Sequence, residues 1–371
     1  MIENSLESRL YLTKSPKLPL TIDVFAWHTT TVSARSLINV KAGFILNMTD
    51  FAKQIGVSRA TVWRALSGHG PINDVTRKLV LEKAEELGLR PNRSAHAFAT
   101  GRSYLVELWI EKMTDFAGLI LKNLEHSLNN DGFDPIVRTW DSLNTKRGLG
   151  NQYAWPVDGV IAVDPQDDVF VSLRERYDFG TPVVNIGGYW VESTDYVGLD
   201  LHSPTSDAVN GLIASGCKRV AYLSHSFGQQ RGNARREAYV SSVEKAGLCP
   251  EFILIDEPTS LSASQSVYRY IREHGHPDGL FCSNDSIAIG AYRAIYDLNL
   301  RIPEDIAVVG CDGLEISEFL EPPLSTIMLP VKQMCTMALC FLYERINNPS
   351  IPQQGAILKP QFMCRRSSMR R

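Results

Sequence analysis

Between residues 50 and 66 apolar positions recur at helical spacing in two short blocks, separated by Gly56-Val57-Ser58. Phe51, Ala52 and Ile55 form one stripe; Val57, Val62 and Leu66 form a second that can face it. Gly56 permits a sharp turn, and Ser58 stands where a helix cap is needed. The pattern predicts two helices joined by a tight turn, with Arg59 and Arg64 on the exposed face of the second. A third helix is predicted over 72–90, capped by Asn73, with Val80, Ala84 and Leu87 along its stripe and Gly88 at its end. Three helices in this order make a helix-turn-helix head, whose second helix can enter the major groove of DNA.

From residue 104 the period changes. Apolar runs at Val106–Ile110, Val157–Val163, Val183–Ile186, Val220–Leu223, Leu280–Cys282 and Ile306–Val309 read as buried strands. Helical patterns at 116–130, 204–215, 232–246, 262–274 and 285–298 separate several of them. Such alternation predicts parallel sheets with helices on both faces, and the strands are too many for one small sheet. The expected fold is an all-α helix-turn-helix head followed by an α/β body of two lobes with parallel sheets and a cleft between them. Between head and body, residues 91–103 hold an Ala-rich segment too short to be a stable helix alone in water. It is expected to order only when something packs on it.

Residues 1–46 show no sustained period beyond Ile22–Trp27 and are interrupted by Pro16, Pro19 and Thr29–Thr31. A disordered extension is expected there, with two alternatives. One is a small folded module; the other is a start of translation just upstream of Met48, where Asn47 would cap the first helix.

Charge divides the chain. The net charge of −3 hides a basic segment, 48–103, with nine Lys/Arg against five Asp/Glu, and an acidic one, 104–371, with 24 against 33. Only the head is expected to approach phosphate favourably. Seven cysteines lack metal-ligand spacing, which predicts reduced thiols, no metal and a cytoplasmic setting. No apolar stretch approaches the length of a membrane span, and the first thirty residues do not read as a secretory signal. Phosphate-cradling glycine loops, a Gly-x-Ser-x-Gly elbow and clustered His/Cys ligands are all missing from the sequence. His274 and His276 read as a surface turn. Neither an enzyme nor a cofactor is expected.

Certain short stretches carry more than periodicity. They are Asp50-Phe51-Ala52 through Gly56-Val57-Ser58, Thr61-Val62, Arg64, Thr76-Arg77, Leu87-Gly88, Pro91-Asn92-Arg93 and Thr100-Gly101-Arg102-Ser103. In the body they are Ile302-Pro303-Glu304-Asp305-Ile306 running on to Asp312, Pro323-Leu324-Ser325-Thr326-Ile327, and Arg365-Arg366-Ser367-Ser368. In this order they resemble the lactose/galactose-repressor (LacI/GalR) family of bacterial transcriptional regulators, over residues 47–368. The resemblance implies a head at 47–91, a hinge helix at 92–103 and an effector-binding and dimerisation body at 104–371, with 365–368 as its closing strand. It also implies a homodimer, with a tetramer as the alternative, on a near-palindromic operator.

Within the motif, Arg59 and Ala60 fall at the positions that set base choice, and Arg64 matches an arginine reaching into the same groove. Arg59 has the geometry for bidentate contact with guanine, the alternative being a phosphate contact. Ser58 and Thr61 would hold phosphates. Trp63 departs from the small residue usual in the family. Asn92, Arg93 and Phe98 fall in the hinge, Phe98 where an apolar side chain wedges between central base pairs, or else packs on the dimer mate; His96 replaces a frequent arginine. The body is similar to periplasmic sugar-binding proteins, which implies a small-molecule effector, a carbohydrate, in the cleft. Arg235 and Asp312 match effector contacts on opposite sides, and Asn284 and Asp285 match a polar pair at a strand end, where open sheets collect ligand groups. Asp285 is alternatively the cap of the following helix, and Asp312 the holder of a turn. Gly187 stands where sugar-binding members often carry an acid. A free sugar-binding protein would share the body but has no use for residues 47–102.

Overall fold

The structure, a computed structural model, describes residues 48–67, 70–87, 89, 102–110, 113–139, 157–165, 180–188, 194–225 and 233–370. It divides into two compact units, Met1–Pro91 and Asn92–Arg371. The expectations for residues 1–46, for the hinge segment up to Gly101 and for Gly88 lie outside the described residues.

In the head, helices α1 (Met48–Gln54), α2 (Arg59–Ser67) and α3 (Asp74–Leu87) close on one small core. Phe51, Ala52, Val62, Ala65, Val80, Ala84 and Leu89 are buried together, with Ile55, Val57 and Leu66 packed at its edge. Gly56 turns the chain at φ +71°, which only glycine adopts without strain. Asn73 Oδ1 accepts from the Val75 amide at 2.8 Å, as expected of a cap. One position differs from the predicted stripe: Leu87 is exposed, and Leu89, beyond the end of α3, fills the core instead.

The body holds two six-stranded sheets. Lobe 1 is built from β1 (Leu105–Ile110), β2 (Asp134–Thr139), β3 (Gly159–Val163), β4 (Val183–Gly187), β5 (Asp195–Leu199) and, from far along the chain, β11 (Gly355–Leu358), in the order β11-β5-β4-β3-β1-β2. Lobe 2 repeats that arrangement with β6 (Val220–His225), β7 (Glu251–Ile255), β8 (Gly279–Cys282), β9 (Ala307–Asp312), β10 (Ser325–Met328) and β12 (Gln361–Met363), ordered β12-β10-β9-β8-β6-β7. Every pairing is parallel except β10 with β12. The helices are α4 (Asp115–Asn130), α5 (His202–Ala214), α6 (Ala234–Lys245), α7 (Ser260–His274), α8 (Asp285–Asp297) and α9 (Val331–Asn347). Among the described residues no helix is long and apolar enough to cross a membrane.

The chain passes between lobes three times, after β5, after β10 and between β11 and β12. As a result α9, late in the sequence, packs on α4 and on β3, β4 and β5 of lobe 1. One apolar cluster reaches from Val106 and Leu108 through Met334 and Leu342 to Tyr222 and Val309, joining the lobes, while a second fills the far face of lobe 2 around Leu280, Ala291 and Val308.

Six strands and α9 were not among the predicted elements. Four of the strands lie at sheet edges: β2 carries a proline and an arginine, β7 opens on a glutamate, and β11 and β12 hold four and three residues. The resemblance placed a closing strand at 365–368. That stretch is a 3-10 turn at Arg366–Ser368, and the closing strand is β12.

Candidate DNA-binding and effector sites

The head presents one continuous polar face. Ser58 Oγ accepts from the Thr61 amide at 3.0 Å and lies 2.8 Å from Thr61 Oγ1, so Ser58 caps α2 and ties the start of the helix to itself. Arg59, Ala60 and Arg64 are exposed, while Thr61 and Trp63 are half-buried. Arg59 with Trp63 and Ala60 with Arg64 are four apart and therefore share a face. The opposite face of α2 supplies Val62 and Ala65 to the core. Apolar burial thus fixes which side of the helix remains free to meet a groove. Asn92, Arg93, His96 and Phe98 lie outside the described residues.

In the body three helices begin just beyond the carboxyl ends of strands, α4 after β1, α6 after β6 and α8 after β8. Thr114 caps α4 through the Ala117 amide at 3.1 Å; Asn233 caps α6 through the Arg235 and Arg236 amides, both at 3.1 Å; Asn284 caps α8 through the Ile287 amide at 2.8 Å. Both sheets reverse strand order at this end, between β1 and β3 and between β6 and β8, the place where open α/β sheets hold ligands.

Arg235, the second residue of α6, lays its guanidinium across lobe 2. Nη1 donates to the Ser283 carbonyl at 2.8 Å and approaches Cys311 Sγ at 3.9 Å. Asp312 ends β9 at φ +125°, a strained conformation for any residue but glycine. It is only 7% exposed, and among the described residues no donor to its carboxylate is seen. Burial pushes the Asp312 carboxyl well above the usual range; the Asp285 charge adds to this, Arg235 opposes it, and Asp164 and Asp115 raise it further.

Asp285 has a different employment. It is wholly buried, accepting from the Thr326 hydroxyl at 2.6 Å and the Leu314 amide at 2.8 Å, and so holds the turn after β9 to the start of α8. Burial raises its carboxyl, with these donors pulling the other way. The capping role considered for Asp285 belongs to Asn284, one residue earlier. Across the cleft the Ser286 hydroxyl donates to Asp115 Oδ2 at 2.5 Å, joining α8 of lobe 2 to α4 of lobe 1. Neither Asp115 nor Asp164 was singled out as a site residue from sequence. The signal at 164 is conformational: it ends β3 at φ +45° beside a glycine.

Two family profiles match the chain. Residues 47–92 match bacterial regulatory proteins, lacI family, and residues 209–368 match a periplasmic binding protein-like domain. The chain belongs to the lacI family. Among curated relatives it is 27% identical over 336 residues to the probable HTH-type transcriptional repressor ExuR of Bacillus subtilis, covering 88% of this chain and 99% of that protein. It is 26% identical over 311 residues to the HTH-type transcriptional regulator GntR of Escherichia coli, covering 82% and 93%. Among solved structures, the lac repressor dimer bound to operator and the anti-inducer ONPF has a TM-score of 0.73 at 22% identity, covering 87% of this chain and 99% of that one. The CelR–cellobiose complex gives 0.62 at 24%, covering 86% and 99%. These likenesses are ones of fold: a helix-turn-helix head and a two-lobed α/β body with parallel sheets. The lacI family is one of DNA-binding transcriptional regulators rather than enzymes.

Proposed function

We propose that this lacI-family chain is a sequence-specific repressor whose operator affinity is set by a small polyhydroxy ligand held between the lobes of its body. The observation that carries the reading is the capped, cationic face of α2, held outward by a buried core on its other side. Arg59 and Arg64 read base edges, Arg59 by bidentate contact with guanine. Ala60 and Trp63 contact bases or sugar, and Ser58 and Thr61 fix register on phosphates. Asn92, Arg93 and Phe98 act in the minor groove from a hinge at 92–103, which joins a head at 47–91 to a body at 104–371.

In the body, Arg235 and Asp312 contact the effector directly. Asn284 and Asp285 shape the same strand end through the cap and the strut described above. Two copies bind the halves of a near-palindromic operator; the lac repressor of similar fold is a dimer bound to operator. Lobe 2 leaves Leu261, Tyr268, Tyr296 and Phe319 exposed, apolar surface that a second copy would cover. The protein works in the cytoplasm, where its DNA is.

Effector control needs two arrangements of the lobes with different affinities for the ligand, a difference typically of about 1–3 kcal/mol. Selecting bound duplexes from a random library with the full-length chain, with and without common sugars, tests the whole reading. Recovery of a sequence with two-fold symmetry, and its release by a sugar, is the expected result. Enrichment of nothing over random competitor at moderate salt rejects it.

A further inference from the structure

Asp164 closes β3 at the point where lobe 1 reverses its strand order, next to the end of β4. Its carboxylate accepts from the Gly188 amide at 2.7 Å and lies across the position of Gly187. A side chain at 187 would place its Cβ 2.0 Å from Asp164 Oδ1, and Gly187 itself has φ +135°. Glycine at 187 therefore has a steric reason: the space its side chain would fill belongs to the carboxylate of the neighbouring strand. The two strand ends share one acidic group, and it comes from β3.

That carboxylate stands at the carboxyl end of the lobe 1 sheet, beside the end of β4. Asp164 and Asp115 of lobe 1 lie near enough to Asp312 of lobe 2 to act on its charge, and Asp115 is bonded to Ser286 of lobe 2. Asp312 is more than nine-tenths buried there, and among the described residues no donor to its carboxylate is seen. Among the described residues, the cation in this group is Arg235, which already donates to the Ser283 carbonyl.

We propose that Asp164 is an effector-binding residue of lobe 1, working opposite Asp312, and that the cleft takes an uncharged polyhydroxy ligand while rejecting one that carries a carboxylate. The inference rests on the effector-cleft reading above. Ligand hydroxyls can donate to the half-buried Asp164 carboxylate at one end of the site and meet the buried Asp312 carboxyl at the other. A ligand acid brings like charge against the Asp164 carboxylate, and such repulsion is how a site excludes near-relatives of its ligand.

The test titrates the full-length chain, by calorimetry and thermal shift, with matched neutral and acidic sugars: glucose with glucuronate, galactose with galacturonate, and glucitol with gluconate. At least one neutral member should bind the parent protein, with its acid partner about 100-fold weaker or undetectable. Asp164→Ala should weaken the neutral ligand by about 30-fold or more and narrow the gap to the acid, while retaining operator binding. Gly187→Ala, which displaces the same carboxylate, should reproduce the loss, and the double variant should add little to either.

Three results would overturn the proposal. An acid binding the parent more tightly than its neutral partner removes the ligand class. A neutral ligand bound within twofold by both parent and Asp164→Ala removes Asp164 and leaves the cleft standing. Binding of no member of the panel overturns the carbohydrate-effector reading and this proposal with it.

Discussion

Phe51 is fully buried in the head, and every residue it clusters with belongs to the head. Replacing it with alanine should therefore unfold the DNA reader while sparing the rest. At about 0.05–0.15 kcal/mol per residue, a unit of roughly 40 residues has about 2–6 kcal/mol of stability. A buried Phe→Ala change costs about 3–5 kcal/mol, which consumes most or all of it. Hydrogen exchange followed by mass spectrometry separates the two units. Protection of amides in α1–α3 should fall about 100-fold or more, since about 1.4 kcal/mol is a factor of ten in an opening equilibrium. Protection of β6 and β8 should not change. Operator affinity should drop, and drop further on warming, because only the folded fraction of heads is competent. If Phe51→Ala left α1–α3 protected, or if β6 and β8 lost protection too, the two units would not be energetically separate.

Arg59→Ala should relax preference at a single base position in each half-site, at about 1–3 kcal/mol; equal weakening on every duplex would make Arg59 a phosphate contact. Asp312→Asn should abolish release by effector while operator binding persists, as read by fluorescence anisotropy with and without ligand. The same change has a pH signature. The Asp312 carboxyl is raised in the folded chain, so its contribution to stability is fully present below the unfolded value near 4 and is lost as pH rises toward the folded one. Urea midpoints of the parent between about pH 5 and pH 8 should decline with pH, and Asp312→Asn should flatten that decline; an unaltered slope refutes the assignment. Ser286→Ala removes the hydroxyl that holds Asp115 across the cleft. It should favour the open arrangement and weaken effector binding, and small-angle scattering of the unliganded variant identical to the parent's would count against that.

The elements legible in the sequence were those whose chemistry is local. Gly56 and Ser58 announce a turn and a cap by residue type alone, and the structure shows both. The central strands β1, β3, β4, β6, β8 and β9 are buried on both sides and read as continuous apolar runs. Edge strands such as β2 and β12 are half-covered, mix polar with apolar residues, and leave no such run. At the candidate effector site, sequence pattern pointed to positions 284 and 285 but could not divide their labour. Whether a given acid caps a helix or braces a loop depends on a one-residue frame and on Thr326, which lies 41 residues away. Asp164 was invisible for a related reason, since its role comes from backbone conformation and from a glycine on the adjacent strand.

The triple passage between lobes has a consequence for biogenesis. Lobe 1 is first to leave the ribosome, yet its sheet lacks an outer strand and its core lacks a covering helix until residues 331–358 have been made. Lobe 2 gathers β6 to β10 from one uninterrupted stretch but waits for β12 at its edge and for the Arg366–Ser368 turn, whose Ser367 hydroxyl donates to the Val308 carbonyl and accepts from the Ser325 amide. Both lobes are thus completed only by residues 331–368, and chains truncated near residue 330 should leave lobe 1 without its covering helix and lobe 2 without its last edge, each open to protease and chaperone.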